Sequence, residues 1–398
     1  MREALAAGEP NDFQSQRDLA HALSSVGEAH ARGGDDTKAL QYYRRSLTLR
    51  QRLAAEHPND LELKDDVARI LHRIGGRLES RGEYEAAQRR YEDAIAIREQ
   101  LVDADKDNSS WRRSLVMLHY SGARVLLRMD RPEEALGHLD DSLRVARQRA
   151  EDNPDSARAQ RDLAGLYEIT AGTKGMMGDW EAALEEYLEL ESMMQALVDE
   201  HPEDTLYRLL LAASCEGIAK ARAELGDLTG AIEPAREAVT IYEELADADP
   251  DNARWRERLP AAMVNLGLRL VKAGRPGEAV EHLQAARKRY QALNAADKLD
   301  ATGRSGLIET LHELSKLMAK LEDGEAALRY AEQAAELTEQ PTPALLRDLA
   351  FACHLTGDNK RAIELATQTL QLLEGEEDAE AIELRAVLEA DLESYRRR

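Results

Sequence analysis

The sequence repeats itself with a period of 48 residues. An alanine recurs seven times at this spacing, each time shortly after a turn, at Ala39, Ala87, Ala135, Ala183, Ala231, Ala279 and Ala327. An eighth turn, TGDNKRA, brings Ala362 only 35 residues after the seventh alanine. A fixed internal period of this size predicts a repeat solenoid, in which each unit packs on its neighbours. Solenoids present long surfaces to partners, so we expect recognition rather than catalysis.

One period, residues 61–108, predicts two helices. Apolar residues spaced four, three and four apart form one face of a first helix, at Val67, Leu71, Ile74 and Leu78. Gly82 then breaks the pattern. A second apolar stripe follows, formed by Ala87, Tyr91, Ala94, Ile97 and Leu101. Each repeat is therefore interpreted as a helix pair.

Two positions of the first helix recur with the same character, one in every repeat and the other in four repeats. One is always small, at Gly27, Gly75, Ala123, Ala171, Ala219, Gly267, Ser315 and Ala350. A missing or short side chain there lets the second helix approach closely. The other position is large, at Leu63, Trp111, Tyr207 and Trp255. We interpret these large residues as buried anchors, since an aromatic binding ladder would require exposed rings.

The order of small residue, turn, alanine, aromatic residue and alanine resembles the tetratricopeptide repeat (TPR). The best match is the set Gly75, Ala87, Tyr91 and Ala94, and the resemblance covers about residues 13–373. It implies an all-α, right-handed α-solenoid. The familiar unit has about 34 residues, so the longer period implies longer helices, as in the extended units of large bacterial signalling proteins. A HEAT-like array is the competing class, but a Gly-Asp turn followed by alanine disfavours it.

The period also predicts the domain organisation. Residues 13–373 are expected to form eight helix pairs, and residues 374–398 a C-terminal capping helix. Residues 2–12 align with residues 50–60, the end of a second helix, so residues 1–12 are interpreted as a partial repeat. We favour the interpretation that the chain is the C-terminal part of a longer protein. The alternative is a truncated first helix that acts as a cap.

Charge and cysteine content exclude several classes of protein. The net charge of −23 argues against a nucleic-acid binder, which needs a basic stripe. Hydrophobic residues never run to about 18 uncharged positions, so no membrane span is expected, and no signal peptide is visible at the start. The two cysteines, Cys215 and Cys353, fall three repeats apart, beyond disulfide distance in a solenoid. We therefore expect a reducing, cytoplasmic location.

The sequence holds no recognisable catalytic or cofactor motif. The ten histidines lack metal-ligand spacing, and neither HExxH nor CxxC is present. Cys353 and His354 are adjacent, but neighbours on a helix point about 100° apart and cannot form a nucleophile and base pair. No glycine-rich phosphate loop follows a strand. We predict that the chain is not an enzyme and carries no cofactor or metal.

The resemblance implies that the first helices line a concave groove. From the groove positions that the resemblance gives, we select eight basic residues as candidate peptide-binding residues, namely Arg124, Arg128, Lys220, Lys272, His312, Lys316, Lys320 and Arg347. The recurrence of lysines in an acidic protein predicts an acidic peptide in the C-terminal part of the groove. The alternative is that these are ordinary solvated helix positions. The lysine and asparagine clamp of chaperone-tail-binding TPR modules is not reproduced.

These observations predict a non-catalytic scaffold or regulatory array that binds a protein or peptide. By resemblance, extended TPR arrays often follow a kinase or a caspase-like protease domain in a larger signalling protein. One alternative is a regulatory subunit or domain that completes or inhibits such an enzyme. Another is a self-assembling structural protein, in which an exposed half-repeat would make the contact.

Overall fold

The computed structural model describes residues 12–296, 299–338, 340–376 and 378–397. These ranges contain seventeen helices and no strand, so the prediction of an all-α fold built from helix pairs is confirmed. The partial repeat expected at residues 1–12 lies, apart from Asp12, outside the described residues. Among the helices described, none is both long and apolar enough to cross a membrane.

The chain divides into two compact units, residues 1–196 and 197–398. Helices of the N-terminal unit alternate between first helices, which carry odd numbers here, and second helices, which carry even numbers. In order they are α1 Phe13–Arg32, α2 Asp36–Glu56, α3 Leu61–Ser80, α4 Tyr84–Ala104, α5 Ser109–Arg128, α6 Pro132–Asp152, α7 Ala157–Met176 and α8 Trp180–Glu200. The division between the units falls within α8.

The C-terminal unit continues the same alternation and ends on an unpaired helix. Its helices are α9 Thr205–Glu224, α10 Ile232–Ala248, α11 Ala253–Lys272, α12 Pro276–Ala295, α13 Ala301–Lys320, α14 Gly324–Glu336, α15 Pro343–Leu355, α16 Asn359–Leu372 and α17 Ala379–Arg396. The last pair, α15 and α16, is shorter than the others. Helix α17 packs on both α15 and α16, where the sequence predicts a capping helix.

Short polar residues set where the first helices begin. All eight first helices of the repeats have an N-cap side chain that accepts a hydrogen bond from an N–H of the first turn, at Asp12, Asp60, Asn108, Ser156, Asp204, Asn252, Asp300 and Thr342. Such caps satisfy amide groups that have no partner inside the helix and stabilise it by about 1 kcal/mol each. Six of these caps are Asp or Asn, and the other two are Ser156 and Thr342.

The turn inside each pair requires a left-handed backbone. Positive φ angles recur at Gly34, Gly82, Asp130, Gly178, Gly226, Gly274, Glu322 and Gly357. In the second of these turns, the N–H of Glu83 donates to the carbonyl oxygen of Leu78 at 2.9 Å, which closes the end of α3. Glycine adopts this conformation without strain. Asp130 and Glu322 adopt it at a cost.

The small position of the first helix is where the two helices of a pair meet. A Cβ on Gly27 would lie 2.7 Å from the ring of Tyr43, and one on Gly267 would lie 2.8 Å from Cγ of Leu283. Real Cβ atoms do not approach other atoms this closely, so these positions need glycine. The predicted buried anchors are also confirmed, since all four are buried, namely Leu63, Trp111, Tyr207 and Trp255.

Buried ion pairs join helices in the N-terminal unit. Arg98 of α4 is 1% exposed and pairs with Asp65 of α3. Arg50 of α2 pairs with Asp66 of α3, with 2.7 Å between Nη1 and Oδ1. Each arginine thus joins a second helix to α3. Buried charges of this kind are costly to leave unpaired, so they help to fix one arrangement of the helices.

Candidate functional site

Residues of three first helices of the C-terminal unit line a half-open cavity of about 370 Å³. Helix α13 packs against both α11 and α15, so a first helix contacts the next first helix as well as its own partner. The cavity is lined by Val271, Glu313, Ser315, Lys316, Leu317, Ala319, Lys320, Arg347, Asp348 and Phe351. Its volume lies within the range of ligand pockets, about 300–1,000 Å³.

The helix register decides which side chains of α13 reach this cavity. Ser315 occupies the small position, is buried, and donates its hydroxyl to the carbonyl oxygen of Ala327 at 2.9 Å. Because successive residues of a helix are turned by about 100°, Lys316 points away from α14 and is exposed. Lys320, one turn later, is exposed on the same side. The packing of α13 on its partner therefore orients both lysines.

Helix α15 contributes an aromatic ring in place of a cation. Ala350 is its small residue and is fully buried, so Phe351 occupies the position that Lys316 holds in α13. The partly buried Phe351 joins Val271, Leu317 and Ala319 in an apolar part of the lining. The cavity therefore combines an apolar floor with a charged rim.

Acidic side chains at the cavity pair with two of its cations. Lys316 Nζ lies 2.8 Å from Glu313 Oε1 on the same helix. Arg347 Nη1 lies 3.2 Å from Asp348 Oδ1, and its Nε lies 3.4 Å from Asp391 Oδ2 of α17. The positive charge of Lys316 and Arg347 is thus largely balanced within the protein.

The candidate His312 is held by the same acidic group. Its Nε2 lies 2.7 Å from Asp348 Oδ2, and its side chain is 21% exposed. Asp348 therefore bridges His312 of α13 and Arg347 of α15. His312 is not part of the lining, so its contact with Asp348 connects it to the cavity only indirectly.

Lys272 and Lys320 are the exposed cations without an acidic partner at this site. In the described part of the chain, no carboxylate lies within ion-pair distance of either ammonium group. Lys320 lines the cavity, and Lys272 directly follows the lining residue Val271. The candidate Lys220 is exposed on α9 but does not line the cavity.

The candidates Arg124 and Arg128 belong to the N-terminal unit. Arg124 forms a bidentate ion pair with Glu79, in which Nε lies 2.7 Å from Oε1 and Nη2 lies 2.8 Å from Oε2. This contact raises the pKa of the Arg124 guanidinium above its ordinary value. The Tyr91 hydroxyl donates to the same carboxylate at 2.9 Å. Arg124 thus joins α5 to α3, while Arg128 is exposed at the end of α5.

The structure brings three of the eight candidates, Lys316, Lys320 and Arg347, to one cavity. Reasoning from the sequence missed the acidic residues Glu313 and Asp348 and much of the apolar lining. The spacing of Glu313 and Lys316, three apart on one helix, was the available signal for their ion pair.

Comparisons with known proteins identify the repeat. Residues 18–100 and residues 261–297 match two family models, both described as tetratricopeptide repeat. Among curated proteins, none matches the sequence.

Several solved structures resemble the chain at low identity. BtubC from P. vanneervenii is 17% identical, with 62% of this chain and 94% of that chain covered and a TM-score of 0.48. The apo form of RapI is 11% identical, with 80% and 97% covered and a TM-score of 0.48. The apo form of the quorum sensor NprR from B. thuringiensis is 15% identical, with 77% and 78% covered and a TM-score of 0.49.

Two family-model matches, one in each unit, agree with the helix pairs and with their small, aromatic and alanine positions. The chain is a tetratricopeptide-repeat protein.

Proposed function

We propose that this protein is a non-catalytic scaffold whose C-terminal unit binds an acidic segment of a partner protein at α11, α13 and α15. The observation that carries this proposal is the cavity of about 370 Å³ with Lys316, Lys320 and Arg347 at its rim. TPR folds generally serve protein interaction, which supports the general role. The absence of catalysis and the cytoplasmic location stay predictions from the sequence.

The distribution of charge supports an acidic partner. Helix α11 carries five basic residues and one acidic residue, whereas the second helix before it, α10, carries five acidic residues and one basic residue. A partner segment with negative charge would be repelled by most of a chain with net charge −23 and attracted by the basic residues of α11, of which Lys272 directly follows the lining residue Val271. Complementarity of this kind controls the association rate and partner choice more than the affinity.

Reversing the charge of the two lysines without an acidic partner tests the proposal. The probe is a capped twelve-residue peptide in which Glu alternates with Leu, titrated by fluorescence anisotropy at two salt concentrations. We expect Lys272→Glu combined with Lys320→Glu to weaken binding about tenfold at low salt. The difference should shrink at high salt because exposed charges are screened.

The matched control reverses two exposed lysines on second helices of the same unit, Lys288→Glu and Lys360→Glu. Both double variants have the same net charge, so a general electrostatic effect would weaken them equally. Equal affinities for the two variants would overturn the proposal. Circular dichroism on both variants verifies that helicity is retained.

A further inference from the structure

We propose that the cavity recognises one bulky apolar side chain next to one carboxylate, rather than a run of acidic residues. This inference rests on the proposed function, because it names the partner segment that the same cavity would hold. It follows from the shape of the apolar floor and from the charges that the protein balances by itself.

The apolar floor provides room for one large side chain. Leu317 is almost fully buried, and Val271, Ala319 and Phe351 are partly buried around the space. Phe351 is one of only two phenylalanines in the chain. At the corresponding position, α5, α9 and α13 carry cations, namely Arg124, Lys220 and Lys316. An aromatic ring at this position of α15 therefore distinguishes the cavity from the rest of the first-helix surface.

The charges around the floor leave a place for one carboxylate. Glu313 holds Lys316, and Asp348 and Asp391 hold Arg347. Lys320 lies at the rim and has no carboxylate of a described residue within ion-pair distance. The same holds for Lys272, which directly follows the lining residue Val271. A ligand carboxylate at Lys320 gains an ion pair without displacing an internal one. A second carboxylate inside the cavity would compete with Glu313 for Lys316 or be repelled by Asp348, because Lys272 is not part of the lining.

The magnitudes favour the apolar contact as the main source of affinity. An ion pair at an exposed lysine changes the binding constant of the peptide by no more than about fivefold. Burying a Leu or Phe side chain of the peptide changes the binding constant by about tenfold or more. The apolar side chain should therefore set the affinity, and the carboxylate should set the orientation.

Three capped nine-residue peptides on a Gly and Ser background test this inference with the full-length chain. The first carries Phe followed by Glu, the second carries Phe followed by Gln, and the third carries four Glu and no apolar residue. Binding is followed by NMR up to millimolar peptide. We expect the first peptide to bind about tenfold more tightly than the third, and about twofold to fivefold more tightly than the second.

Variants of the protein locate the contact. Phe351→Ala should weaken the first peptide about tenfold, whereas Leu372→Ala, at an exposed leucine of α16, should leave it unchanged. If Phe351→Ala disturbs folding, the ranking of the three peptides on the unaltered protein decides the question.

The outcomes separate this inference from the proposed function. If the four-Glu peptide binds most tightly, and if Lys272→Glu combined with Lys320→Glu weakens its binding, the apolar anchor is overturned. The proposed function would then still stand. Failure of all three peptides to saturate, together with no effect of the lysine variants on the Glu and Leu peptide, would overturn both.

Discussion

The ring of Tyr91 lies directly against Gly75, so that a Cβ on the glycine would stand 2.5 Å from Cε1 of the ring. The hydroxyl of the same tyrosine donates to Glu79, which also holds Arg124. The close contact of Gly75 in α3 with Tyr91 in α4 therefore places the Tyr91 hydroxyl on Glu79. Glu79 in turn links α3 to Arg124 of α5. The packing inside a pair and the arrangement of neighbouring first helices depend on each other.

Replacing Gly75 tests the assigned helix register. Gly75→Leu should overpack the contact with Tyr91 and lower the free energy of unfolding by about 1–3 kcal/mol. The control is Gly137→Leu on α6, where a Cβ would meet nothing within 4 Å. Thermal unfolding measured by circular dichroism compares the two. A loss of stability no larger for Gly75→Leu than for the control would show that the register is wrong.

The left-handed residue at the α13–α14 turn offers a stabilising substitution. Glu322 has φ 62°, where the turns before and after it have glycine at Gly274 and Gly357. Because a side chain strains this conformation, Glu322→Gly should raise the stability by about 1 kcal/mol. The reciprocal change, Gly274→Glu, should lower it by a similar amount. Denaturant titration of both variants checks the signs, and a loss of stability in Glu322→Gly contradicts the prediction.

The buried pair of Arg98 and Asp65 should show strong coupling. Asp65→Leu leaves the buried guanidinium of Arg98 without this carboxylate and should cost about 3–5 kcal/mol. Adding Arg98→Met removes the buried charge and should recover most of that loss. A double-mutant cycle measured by denaturant unfolding gives the coupling energy. Additive losses would mean that the pair does not interact.

Acidification should destabilise the N-terminal unit through His119. Burial, and secondly the neighbouring His138, lower its pKa from 6.5 to about 4. Asp141 and Arg144 of α6 act on it in opposite directions. The folded state thus disfavours protonation of His119. The contribution of neutral His119 to the free energy of unfolding is therefore complete above about pH 6.5 and is lost as the pH falls towards 4. At pH 5 the loss is roughly 2 kcal/mol.

The variant His119→Leu tests this pH dependence. Leu71 and Leu311 occupy the same position in other repeats and are buried, so leucine should fit. Denaturant unfolding at pH 5 and pH 7.5 should show a smaller difference in stability for the variant than for the unaltered protein. An identical difference would contradict the role of His119.

The sequence predicted the repeating elements well because their signals are local. Periodic apolar residues, the break at Gly82 and the small position at Gly75 each act within one helix pair. The partners of the candidate site residues could not be predicted in the same way. Arg124 is held by Glu79, which lies 45 residues earlier in the chain. Such ion pairs depend on which helices pack next to each other in the folded protein.

The cavity itself depends on the last, shortened repeat. Its aromatic residue, Phe351, falls at a position that mostly carries charge or glycine in the earlier repeats, and the period alone does not indicate a cavity there. Asp391, which pairs with Arg347, comes from the final helix α17. The candidate residues could thus be assigned to one face from the sequence, but the pairing of Arg347 with Asp391 could not.

Locating a bound peptide is the most direct test of the site. A peptide with a photoreactive benzoyl-phenylalanine in place of Phe, followed by Glu, is cross-linked to the full-length chain and mapped by mass spectrometry. We predict adducts on α11, α13 and α15, concentrated near Lys320 and Phe351, that are lost with excess unlabelled peptide. Competable adducts on the second helices or on the N-terminal unit would contradict the assignment.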